Sequence, residues 1–218
     1  MSCECENKNE DLKSINKLPK EYENPIDYIV YTYLCEYTAF IFYNFGITPN
    51  MITTLSLITG LLSTVYIESN NYVISILLLW ISYYFDCLDG HVARKYKQCS
   101  PFGCYYDHIK DNITMVYIIY TLSYKLQTMS QLIFFYSSIL LFSFGLAIQL
   151  GMQEIYSKNE NKSSSLSILM MLCKNSLWEF PESFLNYTKY LGCGTFYVLI
   201  TTIIGYCYVI KQENYIFM

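Results

Sequence analysis

Asp86-Cys87-Leu88-Asp89-Gly90-His91-Val92-Ala93-Arg94, followed after eight residues by Gly103-x3-Asp107-x3-Asp111, decides how the rest of this chain is read. The chain holds six aspartates, and four of them lie in this 26-residue window. Asp86, Asp89 and Gly90 close the strongly apolar run Tyr72 to Leu88, and Asp107 and Asp111 precede another, Ile113 to Leu122. A carboxylate near the middle of a membrane helix costs roughly 2.5–3.5 kcal/mol unless it has a partner or reaches water. Four of them call for a compensating arrangement.

Helical geometry supplies it. At about 100° per residue, Asp86, Asp89, Gly90 and Ala93 fall within an arc of roughly 100° on one helix. Gly103, Asp107 and Asp111 fall within about 80° on the next. Each helix then presents a face with two carboxylates and one or two very small residues. Antiparallel packing of those faces would gather four anions into one pocket, which demands cations. All-oxygen donors select hard ions such as Mg²⁺, Mn²⁺ or Ca²⁺, and four carboxylates suit two ions. Gly90, Ala93 and Gly103 leave room for a substrate group close to the backbone. A plainer alternative is that the aspartates merely pair with Lys or Arg inside the membrane.

The pattern D-x2-D-G-x2-A-R-x8-G-x3-D-x3-D resembles the signature of the CDP-alcohol phosphotransferases (class-I CDP-alcohol phosphatidyltransferases), integral-membrane enzymes of phospholipid synthesis. All eight fixed positions match, including the gap. Upstream, Thr48-Pro49-Asn50-x-Ile52-Thr53 is similar to the family's first-helix entry. The resemblance implies that a hydroxyl attacks the donor phosphorus of a CDP-linked substrate and that CMP leaves. It makes Asp86, Asp89 and Asp107 ligands of two Mg²⁺ or Mn²⁺ ions. Asp111 would both approach a metal and act as general base, with His108 as its competitor.

The resemblance also assigns substrate contacts. Gly90 would let the nucleotide approach the helix, unless it serves helix packing alone. Arg94 would pair with a phosphate, although it also fits a positive-inside loop. Ser100 would touch the donor phosphate, or only cap a helix. Asn50 is a candidate nucleotide contact. His91 is read as a polar residue near the headgroups rather than a ligand.

Composition agrees with a membrane protein. The 218 residues are 53% hydrophobic, 18% aromatic and only 15% charged, with mean hydropathy +0.24. A soluble domain carries about 25% charged residues. Nine scattered cysteines contain no C-x2-C pair, which argues against zinc. The fold expected is all-α: a polytopic membrane bundle of about six transmembrane helices preceded by an interfacial helix. Residues 1–24 read as a polar cytoplasmic tail and 25–218 as the CDP-alcohol phosphotransferase membrane domain, with its motif at 86–111.

Tyrosine density and Asp27 and Glu36 place residues 26–44 on the membrane surface. Spans are expected at about 49–68, 71–95, 101–125, 129–157 and 191–210, with a polar loop at 158–164. Residues 166–179 form either a short span or an interfacial helix. Lys8, Lys13, Lys17 and Lys20 in the tail and Arg94, Lys95 and Lys97 in the loop are satisfied together by two intervening spans. That puts the active site near the cytoplasmic face.

The leading expectation is a phosphatidyltransferase that passes the phosphatidyl group of CDP-diacylglycerol to an alcohol. Asp89-Gly90-His91 resembles phosphatidylinositol synthases, and the compact length fits donors of that kind. The alternative is a choline- or ethanolamine-type phosphotransferase using a CDP-aminoalcohol and diacylglycerol, which Ser100-Pro101-x-Gly103 with Asp107-His108 resembles. Expected partners are the CDP-linked donor, the alcohol acceptor, membrane lipids and a second copy in a homodimer, and no nucleic acid. A non-catalytic scaffold would have lost an aspartate, and a prenyltransferase would need a second aspartate-rich helix. No aspartate follows Asp111.

Overall fold

The computed structural model describes residues 23–156 and 185–216. Nearly all of the expected tail, the 158–164 loop and the 166–179 segment lie outside the described residues. Within them the chain is helical without strands. The elements are α1 (Pro25–Ile29), a π-helical stretch (Val30–Cys35), α2 (Glu36–Asn44), α3 (Pro49–Glu68), α4 (Tyr72–Lys95), α5 (Pro101–Lys125), α6 (Met129–Tyr156), the short α7 (Leu185–Thr188) with a 3₁₀ turn (Lys189–Leu191), and α8 (Cys193–Ile216).

Helix starts follow local chemistry. Thr48 and Ser100 are extended residues followed by Pro49 and Pro101 at the first helical position, where proline's missing N–H costs nothing. The Ser100 hydroxyl accepts the Gly103 amide at 3.0 Å. Thr48 makes no such side-chain bond. Asn24 caps α1 by accepting from Ile26 and Asp27.

α3 and α4 pack antiparallel through small residues. Ser56 donates to the Ser82 carbonyl at 2.9 Å and Ser82 to the Ser56 carbonyl at 2.8 Å. Seven residues on, Ser63 donates to the Ser75 carbonyl at 2.9 Å. Small side chains let backbones approach, and each interhelical polar bond adds about 0.6 kcal/mol in a membrane. α5 runs parallel to α3 across this pair. A Cβ at Gly60 would lie 2.6 Å from Cγ2 of Thr114 and 3.0 Å from Oγ of Ser82, so the three helices cross there only because residue 60 is glycine. At the far end Lys125 donates to the Glu68 carbonyl at 2.8 Å. α5 therefore traverses the bundle from the end of α4 back to the α3–α4 turn.

α6 and α8 flank this core as an antiparallel pair. Gln131 reaches the Tyr206 hydroxyl at 3.2 Å, and a Cβ on Gly145 would press on Leu191 at 2.8 Å. Among the described residues, four helices are long and apolar enough to cross a membrane: Pro49–Glu68, Tyr72–Lys95, Met129–Gly151 and Asn186–Gln212. The protein is an integral membrane protein. α5 is as long, but Asp107, Lys110 and Asp111 in its first half lower its apolarity.

The 25–44 helix lies along α4, with a π-helical turn that the sequence did not announce. That turn buries both Val30 and Cys35, five residues apart, as one extra residue per turn allows. Asp27 at one end is buried and accepts from the Tyr83 hydroxyl and from the Gly194 amide, the latter at 2.9 Å. At the other end Tyr43 stacks on Tyr96, with ring centroids 3.8 Å apart. Tyr33, Tyr37 and Phe40 on the opposite face are exposed.

Candidate metal centre

The motif faces meet as helical geometry requires. Carboxylate oxygens of Asp86, Asp89 and Asp107 lie within 4.8 Å of one another, and so do ligand atoms of Asp107, His108 and Asp111. Asp107 belongs to both groups, so the two sets are contiguous. Asp89 is buried and its carboxylate accepts the Thr53 hydroxyl at 2.6 Å. Thr53 thus holds a carboxylate in place, a role the upstream motif did not assign to it.

Lys110 is the residue that sequence reasoning passed over. It projects between the two helices, 2% exposed, and its ammonium contacts all but one of the four carboxylates. It pairs with Asp86, with Asp107 at 3.1 Å and with Asp111 at 2.8 Å, and its Nζ lies 3.5 Å from the Ser56 hydroxyl. The signal was present: a lysine three residues after one aspartate and one before another, on a helix otherwise apolar beyond them. The plainer alternative, aspartates paired with a basic residue, is therefore partly realised. It does not balance the charge. One ammonium against four carboxylates leaves three negative charges when all are ionised.

A cavity of about 190 Å³ opens beside the aspartates. α3 contributes Pro49, Asn50 and Thr53, and α4 contributes Asp89, Gly90, Ala93 and Arg94. Gln98, Cys99, Ser100, Gly103, Cys104 and Asp107 complete the wall. Every residue expected to contact substrate lines it, whereas Asp86 and Asp111 do not. The N-termini of α3 and α5 both point at this space, and helix N-termini favour anions.

The glycines are tied to their neighbours. A Cβ on Gly90 would sit 3.1 Å from Nη1 of Arg94, so the glycine makes room for the guanidinium, which lies 5.6 Å from the Tyr31 ring centroid. A Cβ on Gly103 would meet Oδ1 of Asn50 at 2.8 Å and Oγ of Ser100 at 3.0 Å. His91 is turned away from the cavity; its Nε2 pairs with Glu36 at 2.9 Å. Cys99 and Cys104, two cavity residues, are disulfide-bonded.

The donor set fits hard divalent cations. At Asp86, Asp89 and Asp107 it is made of carboxylate oxygens, and the buried Oδ1 of Asp107 has no hydrogen bond, only the ionic contact with Lys110 at 3.1 Å.

A family model described as CDP-alcohol phosphatidyltransferase matches residues 46–204. Cholinephosphotransferase 1 of Bos taurus is 35% identical over a 103-residue alignment that covers 45% of this chain and 25% of that protein. The chain thus matches about a quarter of the length of that relative. No solved structure matches the chain.

Proposed function

The chain belongs to the CDP-alcohol phosphatidyltransferase family, and from that premise we propose that it transfers a phosphate-linked group from a CDP-bound donor to a hydroxyl, releasing CMP. The observation that carries this is the cavity itself. Four aspartates in two overlapping ligand sets lie at or next to a space whose other walls are two helix N-termini and Arg94.

The pyrophosphate of the donor would lie across Gly90 and the start of α5, where Arg94 and the positive end of the helix dipole meet its negative charge. Asp86, Asp89 and Asp107 would hold Mg²⁺ or Mn²⁺, which supplies neutralisation of the phosphates and stabilisation of the leaving oxygen. Thr53 keeps Asp89 turned toward that position. Asn50, Ala93, Ser100 and Gly103 shape the nucleotide side of the cavity. Asp111 would take the acceptor hydroxyl's proton as its oxygen bonds to the donor phosphorus. The bond from that phosphorus to the bridging oxygen breaks, and CMP departs with the electron pair.

For the donor, the likeness to a cholinephosphotransferase and the Asp107-His108 pair favour a CDP-aminoalcohol with diacylglycerol as acceptor. CDP-diacylglycerol with a soluble alcohol is the second reading, supported by Asp89-Gly90-His91. The cavity would face the cytoplasm, and the protein would work as a homodimer in the membrane.

The test is CMP release from purified protein with Mn²⁺ and each donor–acceptor pair. CDP-choline or CDP-ethanolamine with diacylglycerol should give CMP. Release only from CDP-diacylglycerol reverses the donor assignment, and release from no pair leaves a scaffold. Cysteine labelling at Lys13→Cys and Ser69→Cys should report opposite sides of the membrane; same-side labelling overturns the orientation.

A further inference from the structure

Lys110 raises a question that the motif does not answer. Two divalent ions on four aspartates need two adjacent ligand sets. One is Asp86, Asp89 and Asp107, whose carboxylates converge without any ammonium at Asp89. The other is Asp107, His108 and Asp111. Lys110 contacts both carboxylates of that second set, and Asp86 beside them. Its side chain is 2% exposed, and Nζ also reaches the Ser56 hydroxyl at 3.5 Å.

We propose that the Lys110 ammonium is a tethered cation that fills the second cation position, so that each chain takes one divalent ion, at Asp86, Asp89 and Asp107. The inference rests on the metal-dependent transfer reading above. Three carboxylate partners surround a group with three N–H donors, with ion-pair contacts to Asp111 at 2.8 Å and Asp107 at 3.1 Å. The stem of Lys110 is buried between α3, α4 and α5, so the ammonium cannot swing into water without leaving three clustered carboxylates behind. A free cation would have to displace it against that cost. Lys110 is then a positioning residue: it fixes Asp86, Asp107 and Asp111 around one charge while the ion and the substrate occupy the cavity side.

The wild-type protein answers the question without any substitution. Mn²⁺ titrated into the purified, detergent-solubilised protein, followed by electron paramagnetic resonance, should bind at one ion per chain and give the six-line signal of an isolated ion. Lys110→Met keeps the stem and removes the charge, and should raise the stoichiometry from one to two with a spin-coupled spectrum. Asp89→Asn should abolish binding of the single wild-type ion. Two coupled ions in the wild type, with CMP release intact, would overturn this inference alone. No bound Mn²⁺ in the wild type would overturn the metal-dependent reading and this inference with it.

Discussion

Two clusters of charge sit on α4, about one helical turn apart, and they are built on opposite plans. Toward the cavity, Asp86 and Asp89 join Asp107 and Asp111 around a single ammonium. On the side that faces α2, Glu36 alone meets both His91, at 2.9 Å, and Lys95. The first has acid in excess around a buried ammonium, and its carboxylates run from Asp89, 6% exposed, to Asp111, 42% exposed. The second sets one carboxylate against one ammonium, with His91 as a further partner, and its carboxylate is 42% exposed. An anionic cluster that its own protein leaves unneutralised is unstable without a cation from outside, which is what a phosphate-handling site wants. A cluster that neutralises itself needs nothing more and reads as a clamp between helices. Excess charge, rather than charge, separates function from architecture here.

The contrast is broken most forcefully on the acidic side. Asp86→Ala, Asp89→Ala and Asp107→Ala are each expected to cut CMP release by about 10²–10³ or more, on the scale of losing one fixed electrostatic partner of a transition state. Chelator should abolish turnover in the wild type, and Mg²⁺ or Mn²⁺ should restore it. Robust turnover in excess EDTA would put the two clusters in the same structural class.

Next in size is the base. Asp111→Asn should keep Mn²⁺ binding and lose about 10² or more in turnover, within the usual general-base contribution. His108 is near enough to compete, since it groups with Asp107 and Asp111 within 4.8 Å. Its Nε2 lies 3.8 Å from Sγ of Cys104. His108→Ala should therefore retain a measurable fraction of the rate. A dead His108→Ala beside an active Asp111→Asn would move the base to the histidine.

How much of this could be read from the chain differs between the two clusters. The acidic cluster was legible because its spacing is set by one helical period on each helix and by two proline-led helix starts, all local properties. α3 and α5 begin and end at the residues expected from those signals. Lys110 was visible as a lysine flanked by two aspartates, but its ion pairs were not, because the motif fixes aspartates and says nothing about which direction a neighbouring side chain takes between three helices. Thr53 was within a quoted motif, but its bond to Asp89 spans 36 residues and follows only from the α3–α4 register. The Glu36 clamp was invisible for the same reason: Glu36 and Asp27 looked like marks of the water interface. Glu36 is half-exposed, in keeping with that reading, whereas Asp27 is buried against Tyr83 and Gly194.

Helix packing gives a smaller effect. Gly60→Ala puts a methyl 2.6 Å from Thr114, at the crossing of α3, α4 and α5. Overpacking of this kind costs typically about 1–3 kcal/mol. The protein should melt at lower temperature while the variant that folds keeps its Mn²⁺ stoichiometry, because no ligand is touched. A changed stoichiometry would mean that the crossing also sets the distance between the two aspartate helices.

The smallest effect belongs to the self-balanced cluster and is the sharpest check on the contrast. Glu36→Gln removes the carboxylate but keeps a hydrogen-bonding side chain between His91 and Lys95. The ion pair is partly exposed, with Lys95 at 21% and Glu36 at 42%, so solvent screening limits it to about 0.2–1 kcal/mol. The helix does not hang on this pair alone. Tyr43 still stacks on Tyr96, Asp27 still accepts from Tyr83 and Gly194, and Tyr84 still reaches the Thr38 hydroxyl. Thermal melting should shift by a few degrees at most, and CMP release should stay within about fivefold of wild type on that energy scale. A loss of turnover as deep as that of Asp89→Ala would show that the 25–44 helix acts on the cavity through His91 and Arg94. The two clusters would then be one coupled system rather than a site and a clamp.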